Sequence, residues 1–173
     1  LAKALIREIG EDAVGARGAL HSYDAAQGIW RTVTSAEQSR IVQGFAGRPA
    51  GDKGKPLAIR VHDVAGALRL GYEEALQEGF FDDAPAGVAF TNGFVSVDAT
   101  GARLLDFAKE HRCRFALPFA YDGQVSQRWI EFLRGLFRGD EDGEDKIACL
   151  GEFFGSCLLG HATRFQRVII ASG

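Results

Sequence analysis

The end of the chain carries the pattern that most restricts what this sequence can fold into. Arg164–Ala171 reads RFQRVIIA, and its last part, Val168–Ala171, is continuously apolar. An unbroken apolar run is typical of a strand buried on both faces of a parallel sheet. The chain then reaches Gly173, and a strand that ends at a glycine is where a phosphate-binding loop begins. The sequence therefore predicts a nucleotide-binding role for Gly173, as the first glycine of a loop whose other residues this chain does not contain.

Two amphipathic helices precede this strand. In the first, apolar residues recur at spacings of three and four and define one face. They are Val125, Trp129, Phe132, Leu133, Leu136 and Phe137. Ser126 is a candidate N-cap and Gly139 a candidate stop. Aromatic residues at this spacing belong to a core more often than to a surface that stacks nucleobases, so we expect this face to be buried.

The second helix is predicted to begin within Asp140–Asp145, because carboxylates suit the positive end of the helix dipole. We expect it to end at Gly160. Its apolar set is Ile147, Leu150, Phe154, Cys157 and Leu158. Packing in a core or a half-buried position is the preferred interpretation of Cys157.

The N-terminal half mixes helices with strands. Residues 2–9 form an amphipathic pattern, and Leu20–Tyr23 is expected to pair with Ile29–Val33 as a hairpin. Thr34 or Ser35 is a candidate N-cap for a helix that runs to residue 45, with Glu37 or Gln38 as the capping-box partner.

A glycine-rich stretch, Gly44–Pro56, is the most loop-like part of the chain and its only candidate hinge. Pro56 suits the first turn of a helix over Leu57–Glu78. Gly66 and Gly71 weaken that helix, so a break into two shorter helices stays open.

The strongest local signal is Asn92-Gly93, which predicts a hairpin of Gly87–Thr91 with Phe94–Asp98. An Asn-Gly pair suits a type I′ turn, because both central residues need positive φ. Arg114–Leu117 is predicted to be a short strand.

Composition limits the function further. The 173 residues are 46% hydrophobic and 25% charged, as in a globular protein, and the net charge of −3 provides no global basic field for nucleic acid. Three cysteines do not suggest a disulfide framework, and neither a membrane span nor a signal peptide is visible. We therefore expect a cytoplasmic protein. Because the chain opens at Leu1 and contains no methionine, it looks like a piece of a longer protein.

Other candidate sites fit their motifs poorly. Gly51–Lys55 fails as a Walker A loop, because Pro49 stands where a glycine is required and Pro56 replaces the Ser/Thr. Asp140–Asp145 fails as an EF-hand loop, because Gly143 is fourth rather than sixth. Cys149, Cys157 and His161 lack an evident fourth zinc ligand. No metal is therefore predicted.

Five segments together resemble one family. They are TNGFVSVDATG (Thr91–Gly101), ALPFAYDG (Ala116–Gly123), RWIEFLRGLFRGDED (Arg128–Asp142), LGEFFGSCLLG (Leu150–Gly160) and FQRVIIASG (Phe165–Gly173). In this order they are similar to the helical domain that precedes the motor in phage/plasmid primase-helicases, a type shared with poxviruses. The resemblance implies that the last strand leads into the Walker A loop of a superfamily-three helicase.

The resemblance also implies a function. The chain would be an oligomerisation collar of a phage- or plasmid-type DNA replication primase-helicase, encoded by a phage, plasmid or prophage. ATP and Mg²⁺ would be cofactors of the longer protein, whereas this chain would need none and would hydrolyse no ATP, since it lacks the lysine and the Mg²⁺ ligands of the loop. Its partners would be further copies of the same protein, with DNA as a possible partner.

An alternative is a DNA-binding module that recruits a replicative helicase. Arg134 and Arg138 are the candidate nucleic-acid residues, within a possible basic edge that also contains Arg112, Arg114 and Arg128. A stand-alone hydrolase is a third possibility and would need a deep pocket with convergent polar groups. The sequence as a whole predicts a mainly helical α+β fold. Residues 1–112 would form an N-terminal part with a β-hairpin, and residues 113–173 a helical unit ending in a strand.

Overall fold

A computed structural model describes residues 1–50 and 54–160 of the chain. Within these ranges the fold is α+β, as predicted, with more residues in helices than in strands. The predicted strand Arg164–Ala171 lies outside the described residues, as do Gly173 and His161.

The secondary-structure elements follow one another along the chain with short connections. The α-helices are α1 (Ala2–Ile9), α2 (Ser35–Gln43), α3 (Val61–Glu74), α4 (Gln127–Leu136) and α5 (Gly143–Leu158). The strands are β1 (Val14–Ala16), β2 (Ala19–Asp24), β3 (Ile29–Val33), β4 (Pro49–Ala50), β5 (Lys55–Pro56), β6 (Gly87–Phe90), β7 (Gly93–Asp98) and β8 (Gly101–Leu105). They form three antiparallel sheets, β1-β2-β3, β4-β5 and β6-β7-β8.

The predicted hairpin of β2 and β3 is confirmed, but the sequence did not reveal β1. Ala16 pairs with Ala19, so Arg17 and Gly18 alone form the turn between β1 and β2. Their φ angles are 49° and 79°. Positive φ at both central residues is the requirement of a type I′ turn, and this hairpin satisfies it with an arginine in the first position.

The helices of the N-terminal half match their predictions closely at the caps. The Thr34 side chain accepts from the Glu37 backbone, and the Glu37 carboxylate accepts from the Thr34 N–H at 2.8 Å, so the predicted capping box is present. Helix α3 is shorter than predicted, because Pro56 pairs with Pro49 in the small β4-β5 sheet instead of opening the helix.

Helix α3 is continuous through Gly66 and Gly71, so the alternative of two shorter helices is wrong. Gly71 is buried against α1, where a Cβ would lie 3.1 Å from Leu5 Cδ2. Close packing of two helices therefore accounts for this glycine. Leu5, Val42 and Ala67 form the buried cluster that joins α1, α2 and α3.

The hairpin of β6 and β7 is confirmed, whereas its predicted turn is wrong. Phe90 pairs with Gly93, so Thr91 and Asn92 form the turn, and neither has positive φ. Gly93 does have positive φ, at 148°, but it is the first residue of β7. A Cβ there would lie 2.5 Å from the Leu105 carbonyl oxygen, so the glycine permits close pairing with β8 rather than a tight turn.

The asparagine of this pair has a different task. Asn92 Nδ2 donates to the Tyr121 carbonyl oxygen at 2.8 Å, and the Tyr121 N–H donates to Asn92 Oδ1 at 2.8 Å. The side-chain amide thus pairs with a distant backbone segment as a strand would. Leu117 N–H donates to the Ala89 carbonyl at 2.8 Å, which fastens the same segment to β6. Residues 113–121 are therefore bonded to the N-terminal sheets, and the predicted strand Arg114–Leu117 is reduced to one parallel bridge.

The buried core lies almost entirely in the N-terminal part. Among the described residues, all buried apolar side chains except Leu133 belong to residues 5–95. Beside the helical cluster, Val14, Ala16, Trp30 and Phe81 form a second cluster around the first sheet. The two C-terminal helices are thus built on a different principle from the rest.

Candidate functional site

Helices α4 and α5 form an antiparallel pair that we call the hairpin. Ser126 caps α4 as predicted, its Oγ accepting from the Trp129 N–H at 3.4 Å. Helix α5 begins at Gly143, inside the predicted range. Arg134 contacts Glu144 at 3.2 Å near the connection, and the Trp129 ring lies 6.3 Å from Phe154 farther away. These two contacts fix the antiparallel arrangement.

The apolar face of this hairpin is exposed, which corrects the prediction that it is buried. We call it the hairpin face: Val125 (76% exposed), Trp129 (45%), Phe132 (58%), Leu136 (61%) and Phe154 (46%). Trp129 stacks on Phe132 with ring centroids 5.6 Å apart. Periodicity identified the face correctly but could not show what it packs against, because no described element of the chain covers it.

Charged groups of both signs surround the turn between the helices. Lys146 Nζ lies 2.6 Å from an Asp140 oxygen and 2.9 Å from an Asp142 oxygen. The hydrogen bond from Lys146 lowers the pKa of the Asp142 carboxyl, and the bonds to Asp140 and Asp142 raise the pKa of Lys146. The acidic run therefore supplies ion pairs and first-turn carboxylates for α5, as the sequence predicted.

The two arginines predicted to contact nucleic acid lie near this turn. Arg134 is engaged with Glu144, whereas Arg138 is exposed and forms no ion pair with another described residue. The proposed basic edge is divided, since Arg112 and Arg114 line a cavity with the C-terminal end of α5. Helix α5 spans about 24 Å at 1.5 Å per residue, and this length separates the two arginine groups.

The cysteines do not form a metal site within the described chain. Cys149 and Cys157 are exposed, so the prediction of a packed Cys157 is wrong. Cys113 is shielded, and burial raises the pKa of its thiol to about 11. No group of three potential metal ligands occurs in the ranges that the structure covers.

The histidines and the carboxylates in the turn after α3 are also dispersed. His21 is buried and His111 stacks on Phe94 with ring centroids 4.0 Å apart. Asp82 and Asp83 are exposed, as expected for a turn. The structure brings none of these together with a nucleophile in a way that favours the hydrolase alternative.

Sequence reasoning missed two groups of residues that matter here. One is the Asn92–Tyr121 pairing, which no local pattern signals because its partners are far apart in sequence. The other is Arg17, whose positive φ contradicts the usual preference for glycine or asparagine.

None of the helices described is long and apolar enough to cross a membrane. Compared with known proteins, the chain matches no protein-family model, and no curated protein matches it at a significant level.

Proposed function

We propose that this chain is a self-association region, acting as the collar of a phage- or plasmid-type DNA replication primase-helicase in the cytoplasm. The observation that carries the proposal is the exposed hairpin face. The replication context comes from the resemblance of the ordered motifs. The chain itself performs no phosphoryl transfer in this proposal, and ATP and Mg²⁺ act in the longer protein.

Burial of the hairpin face supplies the driving force for assembly. A large apolar side chain contributes about 1.5–3 kcal/mol when it is moved from water into a packed interface. Phe132 and Leu136 lie on one side of α4, next to the stacked Trp129. Aromatic anchors with aliphatic neighbours are typical of the central part of a protein interface.

The charges around the face favour a second copy of the chain over a polyanion. The turn presents Arg138 beside the carboxylates of Asp140–Asp145, so the rim carries both signs. Two copies can pair unlike charges across such a rim, whereas nucleic acid would meet the carboxylates as well as the arginine. The net charge of −3 acts in the same direction.

Sedimentation velocity of the 173-residue chain over a range of concentrations tests the proposal. We expect a concentration-dependent assembly that Phe132→Asp and Leu136→Asp abolish while the helical signal is retained. Leu70→Asp is the matched control, since Leu70 is 46% exposed on α3, and it should leave assembly unchanged. A monomer at all concentrations, or equal effects of Leu70→Asp and Leu136→Asp, would remove the basis for a collar.

The DNA-binding alternative has one observation in its favour. Arg128 adjoins the exposed, stacked Trp129 and Phe132, and an aromatic pair beside a guanidinium is a surface on which single-stranded bases can stack. Salt-dependent binding of a single-stranded oligonucleotide that Arg134→Glu and Arg138→Glu abolish would favour this alternative. Loss of assembly with unchanged DNA affinity would favour the collar.

The motor context has its own tests. Magnesium-dependent ATP turnover by the purified chain would refute the assignment of catalysis to the longer protein. The codons that follow Gly173 are expected to encode a glycine-lysine-serine run.

A further inference from the structure

A cavity of about 620 Å³ lies where the C-terminal end of α5 approaches β6 and residues 111–115. Its volume is within the usual range for small-molecule sites. Three arginines line it, Arg17, Arg112 and Arg114, together with a single carboxylate, Asp82. The described wall therefore carries a surplus of two positive charges in a chain whose net charge is −3.

Two of these arginines have an unusual backbone. Of all the described residues other than glycine, only Arg17 and Arg112 have positive φ, at 49° and 53°. A left-handed conformation costs a non-glycine residue on the order of 1–2 kcal/mol. Because such residues cluster at ligand sites, the meeting of both in one cavity is an observation independent of its charge.

The guanidinium groups are held in place while donors remain free. Arg112 Nη1 donates to the Phe80 carbonyl at 3.0 Å, and its guanidinium lies 4.8 Å from the centre of the Phe80 ring. Arg114 lies 5.4 Å from the centre of the Phe81 ring. Stacking occupies the face of a guanidinium and leaves the N–H groups at its edge available, and each arginine has five such donors.

We infer that this cavity binds a phosphate monoester carried by a flat organic group. Arginine forks match the oxygens of a phosphate in bidentate geometry, and an exposed aromatic side chain, Phe115, lies on the wall beside them. The same chemistry is found in a free nucleotide and at a 5′-phosphorylated end of DNA. This site does not depend on the self-association proposed above.

The other groups on the wall suit binding rather than covalent chemistry. Burial raises the pKa of Cys113 to about 11, so it stays a thiol at neutral pH and is a poor nucleophile. Burial also lowers the pKa of His111, which keeps the imidazole neutral. Arg17 contacts Asp82, and this carboxylate is the group that competes with a phosphate for its guanidinium.

Isothermal titration of the 173-residue chain with thymidine 5′-monophosphate and with inorganic phosphate tests the site. Arg114→Gln removes a guanidinium that lies exposed over a ring, and Arg17→Gly removes another with a residue that accepts positive φ. Each should weaken binding about tenfold, the effect of losing a charge-assisted hydrogen bond. Asp82→Asn should strengthen binding several-fold, because the competing charge is gone. Arg69→Gln is the matched control, since Arg69 pairs with Glu73 on α3 outside the cavity, and it should have no effect.

The sign of the Asp82→Asn effect distinguishes this site from a nonspecific charge effect, when combined with the unchanged control. A comparison of oligonucleotides with and without a 5′-phosphate separates the two sources of the phosphate. Tighter binding of the phosphorylated oligonucleotide than of the free nucleotide assigns the site to a DNA end, and the reverse order assigns it to a nucleotide. No binding at millimolar phosphate, or variants that bind as the original chain does, would overturn the inference.

Discussion

The two tryptophans of this chain occupy opposite environments and summarise the difference between its two regions. Trp30 is 3% exposed in the cluster around the first sheet, and its Nε1 donates to the Lys109 carbonyl at 2.9 Å. Trp129 is 45% exposed on the hairpin face. The N-terminal part buries its apolar residues between its own elements, whereas the hairpin presents them outward. A hydrophobic stripe thus defines which way an element faces, and a second surface decides whether that face becomes a core.

The largest contrast should appear when each tryptophan is replaced by alanine. Trp30→Ala should lower the free energy of unfolding by about 3–5 kcal/mol, through lost burial and a cavity in the core. Trp129→Ala should lower it by about 1 kcal/mol or less, because much of its surface is already in water. Urea unfolding followed by circular dichroism measures both, and equal losses would contradict the division into two regions.

Two leucines sharpen the contrast within one helix. Leu133 is 4% exposed and Leu136 is 61% exposed, both on α4. We expect Leu133→Ala to destabilise the packing of the hairpin by about 2–3 kcal/mol and Leu136→Ala by a few tenths of a kcal/mol. Hydrogen exchange of the α4 amides reports the difference, and similar exchange in the two variants would show that Leu133 does not hold the helices together.

The link between the regions can be weakened at Asn92. Asn92→Ala removes both hydrogen bonds to Tyr121, and we expect a loss of about 1–2 kcal/mol. Asn92→Asp keeps an acceptor for the Tyr121 N–H but loses the donor, so it should fall between alanine and the original residue. Faster exchange of amides in residues 113–121 is the expected signature, and unchanged exchange in both variants would speak against the pairing.

The smallest expected effect is a dependence of stability on pH that originates in the N-terminal part. Burial lowers the pKa of His21, which contacts the Ala16 carbonyl at 3.2 Å and lies near Arg114, and it lowers the pKa of His111 beside Glu110. The folded chain therefore binds these protons less tightly than the unfolded chain does. This contribution to stability is fully present above the unfolded value of 6.5 and is lost as the pH falls from there through the lowered pKa.

Urea midpoints between pH 7.5 and pH 5 measure this dependence. Replacing His111 with glutamine should reduce it, since one of the two groups no longer titrates. An identical decline in the variant would assign the loss to other groups.

Local signals in the sequence were sufficient for much of the fold. Helix α1, the Thr34 capping box and the start of α5 depend on interactions within a few residues, and the structure confirms them. The α+β class followed from the same patterns. Such features can be read directly, because their partners are neighbours in the chain.

Features that depend on distant contacts could not be read in this way. Asn92-Gly93 carries the composition of a type I′ turn, but the glycine is required by the approach of β8 and the asparagine by Tyr121. The type I′ turn lies instead at Arg17-Gly18, where composition gives little indication of it. The exposed hairpin face has the same origin, since periodicity contains no information about the opposing surface.

The three thiols are divided between the regions in a way that has a practical consequence. Cys149 and Cys157 lie exposed on α5, whereas Cys113 is shielded and its pKa is about 11. Alkylation proceeds through the thiolate and needs access, so a maleimide dye at neutral pH should label the two helical positions and spare the third. The chain therefore carries natural attachment points for fluorophores or spin labels, with which distances between copies can be measured without engineered cysteines.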